Sequence, residues 1–154
     1  MRHKQAFGYF RMGLVTGILD KQALVEWADQ QILQDPVPEW EVIELSLSGH
    51  LPYSQLVRLL TGFQGAADYD LPLKALFARA GIWLEEDPGR AVRIIQGLRL
   101  LNEEEYLPAD IRRPLADLDG CLDLHRQNGI DLDELTARLS AFLKQYAGYR
   151  SLVI

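Results

Sequence analysis

Apolar residues recur at intervals of three and four in block after block of this chain, and a residue that starts or stops a helix brackets each block. That pattern constrains the fold more than any other feature. A period near 3.6 lays one apolar stripe along a helix, whereas a half-buried strand needs strict alternation. The stretch LVTGILDKQALVEWADQQIL, residues 14–33, shows the design. Gly17 suits the left-handed position that ends a first helix, expected from about Ala6 to Thr16. Asp20 then caps a second helix, because its carboxylate accepts from the free N–H groups of the first turn. Leu24, Trp27, Ala28 and Ile32 form that helix's apolar stripe, with Glu26, Asp29 and Gln30 opposite.

The same grammar continues to the C-terminus. Pro36 and Pro38 end the second helix, and Pro38 opens a third whose expected inner face is Trp40, Ile43 and Leu47, with Gly49 as its stop. Pro52 opens a fourth helix carrying Leu56, Leu59, Leu60 and Phe63, and Gly65 lies beyond its end. Asp70 caps a fifth, with Leu73, Leu76, Phe77 and Ala80 inward and Gly81 expected to stop it. Asp87 and Pro88 start the next, which buries Ala91, Ile94, Ile95 and Leu98.

Asn102 and Glu105 have the spacing of a capping box, so a short new helix is expected there. Glu103, Glu104 and Glu105 suit the positive end of its macrodipole. Pro108 and Pro114 then bracket an expected break. Leu115, Leu118 and Leu122 line the following helix, which Gly129 is expected to end. The final helix has the best start signal: Asp131 with Glu134 forms a capping box, and Ile130 can staple onto Leu135. Its stripe is Leu135, Leu139, Phe142, Leu143 and Tyr146.

Strand signals are thin. WEVIELSL alternates over residues 40–47, but its flanking prolines and glycine equally suit a short helix. The expectation is an all-α fold: one helical domain over residues 1–154, as an antiparallel bundle or a short stack of helical hairpins of about seven to nine helices. No repeat at a fixed period marks a solenoid.

Composition narrows the function classes. A chain of 154 residues can bury a sizeable core without a metal or disulfide. The single cysteine, Cys121, excludes an intrachain disulfide and fits a reducing cytoplasm. A formal net charge of −6 disfavours nucleic acid and anionic lipid as partners, and the only basic clusters are short pairs such as Arg112–Arg113. The start MRHKQAFGYFRMGLV has a basic end followed by apolar residues, as a signal peptide does, but Arg11 and Gly13 interrupt it and no small-residue cleavage site follows. No stretch approaches the ~18 apolar residues of a membrane span. The expected protein is soluble and cytoplasmic.

The one constellation that could carry chemistry is Asp117, Cys121 and His125, spaced four apart on one side of a helix. A thiol nucleophile needs a base within hydrogen-bond reach and a group to orient that base. Cys121 stands between the other two, so Asp117 cannot orient the far side of His125. Zinc could use the same residue types, but one helix offers too few convergent ligands. Leu118 and Leu122 flank Cys121, and a lone cysteine in that setting reads as a small core residue.

Other groups read structurally. Glu85 to Asp87 and Glu103 to Glu105 sit where helix starts favour negative charge. Arg90 and Arg93 could grip a phosphate or carboxylate together, yet they read first as a solvated helix face. His3 falls in a terminus expected to fray, and His50 in a turn. Trp27, Trp40 and Trp83 read as core anchors, although one partly exposed tryptophan would make an interface hot spot. No phosphate loop, dinucleotide fingerprint, HExxH or GxSxG is present. No catalytic, cofactor-binding or metal-ligating residue is therefore assigned.

After a first helix carrying aromatic and glycine residues, the runs GLVTGILDKQALVEWADQQI and PEWEVIELSLSG resemble the opening of small helical bacterial immunity-type proteins of polymorphic toxin systems. The resemblance covers roughly Phe7 to Gly49 and rests on structural motifs, so it carries over no functional residue. It implies a non-catalytic protein-interaction module that neutralises a toxin by direct contact. The acidic balance could face a basic toxin domain. Two rivals stand beside this reading: a small enzyme or metal-binding protein using Cys121 and His125, and a helical structural or ligand-binding subunit that forms homo-oligomers.

Overall fold

The computed structural model describes residues 1–154, and every regular element in it is helical. Eight α-helices follow in order: α1 His3–Thr16, α2 Lys21–Gln34, α3 Trp40–Ser46, α4 Tyr53–Gln64, α5 Asp70–Glu86, α6 Ala91–Glu104, α7 Ala109–Arg126 and α8 Leu132–Lys144. Three 3-10 turns lie at Ser48–His50, Pro88–Arg90 and Ala147–Leu152. No helix is long and apolar enough to cross a membrane.

At Gly17, Asp20, Asp87 and Asp131 the local signals act where the sequence places them. By contrast, α3 starts two residues after Pro38, and Asp70 is the first residue of α5 rather than its cap. Gly17 ends α1 at φ +74°, a conformation that glycine adopts without a Cβ penalty. The Asp20 carboxylate accepts from the Ala23 N–H at 2.9 Å, and Asp131 accepts from Glu134 at 2.8 Å. Asp87 caps the turn into α6 by accepting from Gly89 at 2.9 Å. Each bond satisfies a first-turn donor that has no partner inside the helix.

Four expectations about helix ends need correction. Gly81 does not stop α5, which runs on to Glu86 with Leu143 packed over the glycine. Asn102 starts no new helix. It lies in the last turn of α6, so Glu103 sits at a helix end, where Arg99 answers it at 3.2 Å. Pro114 lies inside α7 rather than at a break, and the buried stripe on either side, Ile111 and Leu115, carries the helix through. At the end of α7, Asn128 rather than Gly129 takes the left-handed conformation, at φ +62°. Asparagine is one of the few residues with a side chain that tolerates it.

The chain divides into two compact units. The first comprises Met1–Leu14, Leu19–Leu73 and Ile154. Its core gathers Phe7, Phe10 and Met12 of α1, Leu24 of α2, Val42 and Leu45 of α3, and Leu56 and Leu60 of α4. Each such side chain removed from water contributes roughly 1.5–3 kcal/mol. Gln64 is its one largely buried amide; it accepts from Arg11 Nε at 2.9 Å and lies against Gly8, where a Cβ would collide with it. The second unit comprises Val15–Ile18 and Lys74–Val153. There α6, α7 and α8 pack on one another, and Phe77 of α5 meets Phe142 and Tyr146 at ring separations of 5.2 and 4.8 Å.

Candidate interaction surface

The short helix α3 departs most from the sequence-based expectation. Its apolar residues, with Leu47 just past its end, form two stripes: Val42 with Leu45, and Trp40 with Ile43 and Leu47. Both have helical spacing, so periodicity does not say which one faces inward. Val42 and Leu45 are fully buried in the first unit. Trp40, Ile43 and Leu47, expected to line the inner face, are instead 61%, 42% and 68% exposed. Val37, in the segment leading into α3, is likewise exposed. Packing of α3 against α2 decides the rotation, and it leaves a tryptophan-led stripe in solvent.

Trp40 is nevertheless supported from below. Its ring meets Phe63 of α4 edge-on, with centroids 5.1 Å apart and planes at 84°. Phe63 rests on Phe7, Phe7 on Trp27, and Trp27 on Phe10, at 5.8, 6.1 and 5.3 Å. A chain of aromatic contacts thus runs from the core of the first unit to its surface. Its two edge-to-face pairs, Trp40–Phe63 and Phe7–Trp27, each contribute about 0.5–1.5 kcal/mol beyond the area they bury. Beside Phe63, the outer face of α4 forms an open groove of about 320 Å³ lined by Gln55, Arg58, Leu59 and Gly62.

His3, expected in a frayed terminus, is the first residue of α1 and packs edge-on against Trp27 at 5.7 Å. Its Nδ1 lies 3.3 Å from Glu39, the residue that precedes α3, and its Nε2 lies 3.3 Å from Gln31 Oε1. These contacts tie the start of α3 to α1 and α2.

Charge is sorted along the chain in a way the overall composition hides. Between Lys21 and Arg58, residues 22–57 contain six acidic residues and no lysine or arginine. The rest of the chain carries sixteen acidic residues and sixteen lysines and arginines, so the formal net charge of −6 resides wholly in this segment. Four of the six, Asp35, Glu39, Glu41 and Glu44, frame or belong to α3. Asp35 folds back to accept from the Val37 N–H at 2.9 Å, and Glu39 faces His3. Glu41 and Glu44 make no ion pair; Glu44 follows Trp40 by four residues and shares its face. This partition is legible in the sequence once charge is counted in windows rather than over the whole chain.

The residues singled out for chemistry do not converge. The Cys121 thiol is buried and accepts from Arg138 Nη1 at 3.3 Å, not from His125. His125 Nδ1 lies 3.0 Å from the Ile130 carbonyl, and Asp117 faces solvent. Hydrogen bonding to Glu134, and then to Cys121, holds the Arg138 guanidinium above its ordinary pKa. Glu103, followed by Asp119, does the same for Arg99. Arg90 and Arg93 both lie over Trp83, at 4.9 and 5.5 Å from its ring centroid, and Arg90 also pairs with Glu86 at 3.1 Å. Glu85 pairs with Arg150. No group of three or more histidine, cysteine, aspartate or glutamate side chains gathers into a metal-ligand set.

No protein family, curated protein or solved structure matches this chain.

Proposed function

We propose that this protein is a non-catalytic binding module that docks a protein partner on the outward stripe of α3 and the adjoining α4 groove. Its role would be that of an immunity protein, neutralising a toxin by direct contact in the cytoplasm. The observation that carries this reading is the exposure of Trp40, Ile43 and Leu47 on one helix face, with Trp40 braced against Phe63. A folded chain gains nothing from leaving such a stripe in water, since each apolar Å² transferred out of water contributes about 25 cal/mol. Contiguous exposed apolar surface of this kind marks interaction sites. Tryptophan is also among the residues enriched where binding energy concentrates. An edge-braced ring loses little freedom on binding, so more of the contact energy reaches the complex.

The test is a competition between isogenic strains of the source bacterium with and without this gene. Immunity predicts that the strain lacking it is killed by its parent. The wild-type gene restores survival, and a folded Trp40→Asp variant does not. Equal survival of the two strains overturns the proposal.

A further inference from the structure

We infer that the α3 face is built for a basic partner, one presenting lysine or arginine around an apolar anchor site, and not for a second copy of this chain. The inference rests on the docking surface proposed above and adds the chemistry of its occupant. The exposed stripe and the whole formal net charge of −6 fall within the same segment, residues 22–57. Glu44 shares the face of Trp40, and neither Glu41 nor Glu44 has a cation in this protein. Carboxylates left unpaired beside a surface awaiting burial would be desolvated at a cost unless the partner supplies the opposite charge.

A symmetric pair of identical chains fails on the same ground. An isologous contact brings the same patch onto itself, so two copies of a segment with six acidic residues and no lysine or arginine would face each other. Like charges placed together cost free energy and slow encounter. Arg58 on the α4 groove is an exposed cation close by, so a symmetric pair sets two Arg58 guanidiniums against the four carboxylates of Glu41 and Glu44. The other cation bordering the segment, Lys21, donates to the Leu51 carbonyl and lies over the Tyr53 ring. A basic partner meets Arg58 as the one cation lining the groove, against the unpaired Glu41 and Glu44 of α3. Its field is steered to this segment before contact, and the Trp40 stripe then supplies the short-range binding.

The experiment uses the full chain and two synthetic amphipathic helical peptides with an identical leucine and isoleucine face. One carries lysine on its polar face, the other glutamate. Affinity is read by fluorescence anisotropy at low and high salt, and the oligomeric state by sedimentation velocity. The expected result is that the lysine peptide binds, more weakly as salt rises, and that the glutamate peptide does not. Trp40→Ala, with an unchanged circular dichroism spectrum, weakens binding about thirtyfold or more, the scale of a hot-spot residue. Glu41→Lys with Glu44→Lys reverses the preference between peptides. Trp40-dependent binding of both peptides alike overturns the inference and leaves the docking surface standing. So does a dimer that Trp40→Asp dissociates. Lysine-peptide binding that ignores Trp40, Ile43 and Leu47, or no binding at all, overturns both.

Discussion

Replacing Gly97 with alanine sets helix propensity against tertiary packing, and the two predict opposite signs. Gly97 lies in the middle of α6, where alanine should favour the helix by roughly 0.8–1 kcal/mol. In the second unit, however, the Thr16 backbone presses on that position. A Cβ there would stand 2.1 Å from the Thr16 carbonyl oxygen, 3.0 Å from its carbonyl carbon and 3.1 Å from its Cβ. Ordinary contact begins near 3.4 Å, so the backbone of residues 15–18 or α6 itself must shift by more than an ångström. No flexible side-chain tip is available to give way. Overpacking of this kind costs about 1–3 kcal/mol, and a backbone obstacle belongs at the upper end. After the propensity gain, a net destabilisation of roughly 1–2 kcal/mol is expected. Gly120→Ala in α7 is the matched control, because nothing lies within 4 Å of its Cβ position. It should stabilise by up to ~1 kcal/mol. Urea unfolding followed by far-UV circular dichroism measures both. For a chain of this size, each kcal/mol corresponds to about 2–4 °C in Tm. Gly97→Ala equal to or more stable than wild type would refute the packing argument.

Other outcomes follow from the same structure. Asp131→Ala should cost about 0.5–2 kcal/mol, because it removes the acceptor of the Glu134 N–H; an unchanged urea midpoint would show that water replaces it fully. Trp27→Ala should cost about 3–5 kcal/mol, since Trp27 is only 7% exposed and holds the aromatic chain of the first unit. Trp40→Ala should cost less, about 1–2 kcal/mol, in the same assay, because only its contact with Phe63 and the buried part of its ring are lost, and equal losses for the two tryptophans would contradict the burial pattern. Cys121 should react with a thiol reagent much more slowly in the native protein than in urea, as its sulfur is buried beside Arg138. Comparable rates would place it at the surface.

Much of the fold is legible in the sequence because its determinants are local. The caps at Asp20, Asp87 and Asp131 depend on an N–H two or three residues away, and the left-handed turn at Gly17 depends on one residue's freedom. The stripes of α4, α6 and α8 follow from period alone, as each has a single apolar face. The candidate site is different. Its ingredients, the tryptophan-led apolar triplet and the run without lysine or arginine, stand in the sequence, but their exposure does not.

Only tertiary structure decides the rest, because it depends on what lies against a helix. In α3 two apolar stripes compete, and contact with α2 awards the core to Val42 and Leu45, leaving Trp40, Ile43 and Leu47 outside. Gly81 and Pro114 read as stops, yet burial of the flanking stripes continues both helices through them. Gly97 looks like any helix glycine until the Thr16 carbonyl is found where its Cβ would be. A chain's own periodicity determines that helices form and roughly where each begins. Which face each one hides is a property of its neighbours, and so is the surface that remains for a partner.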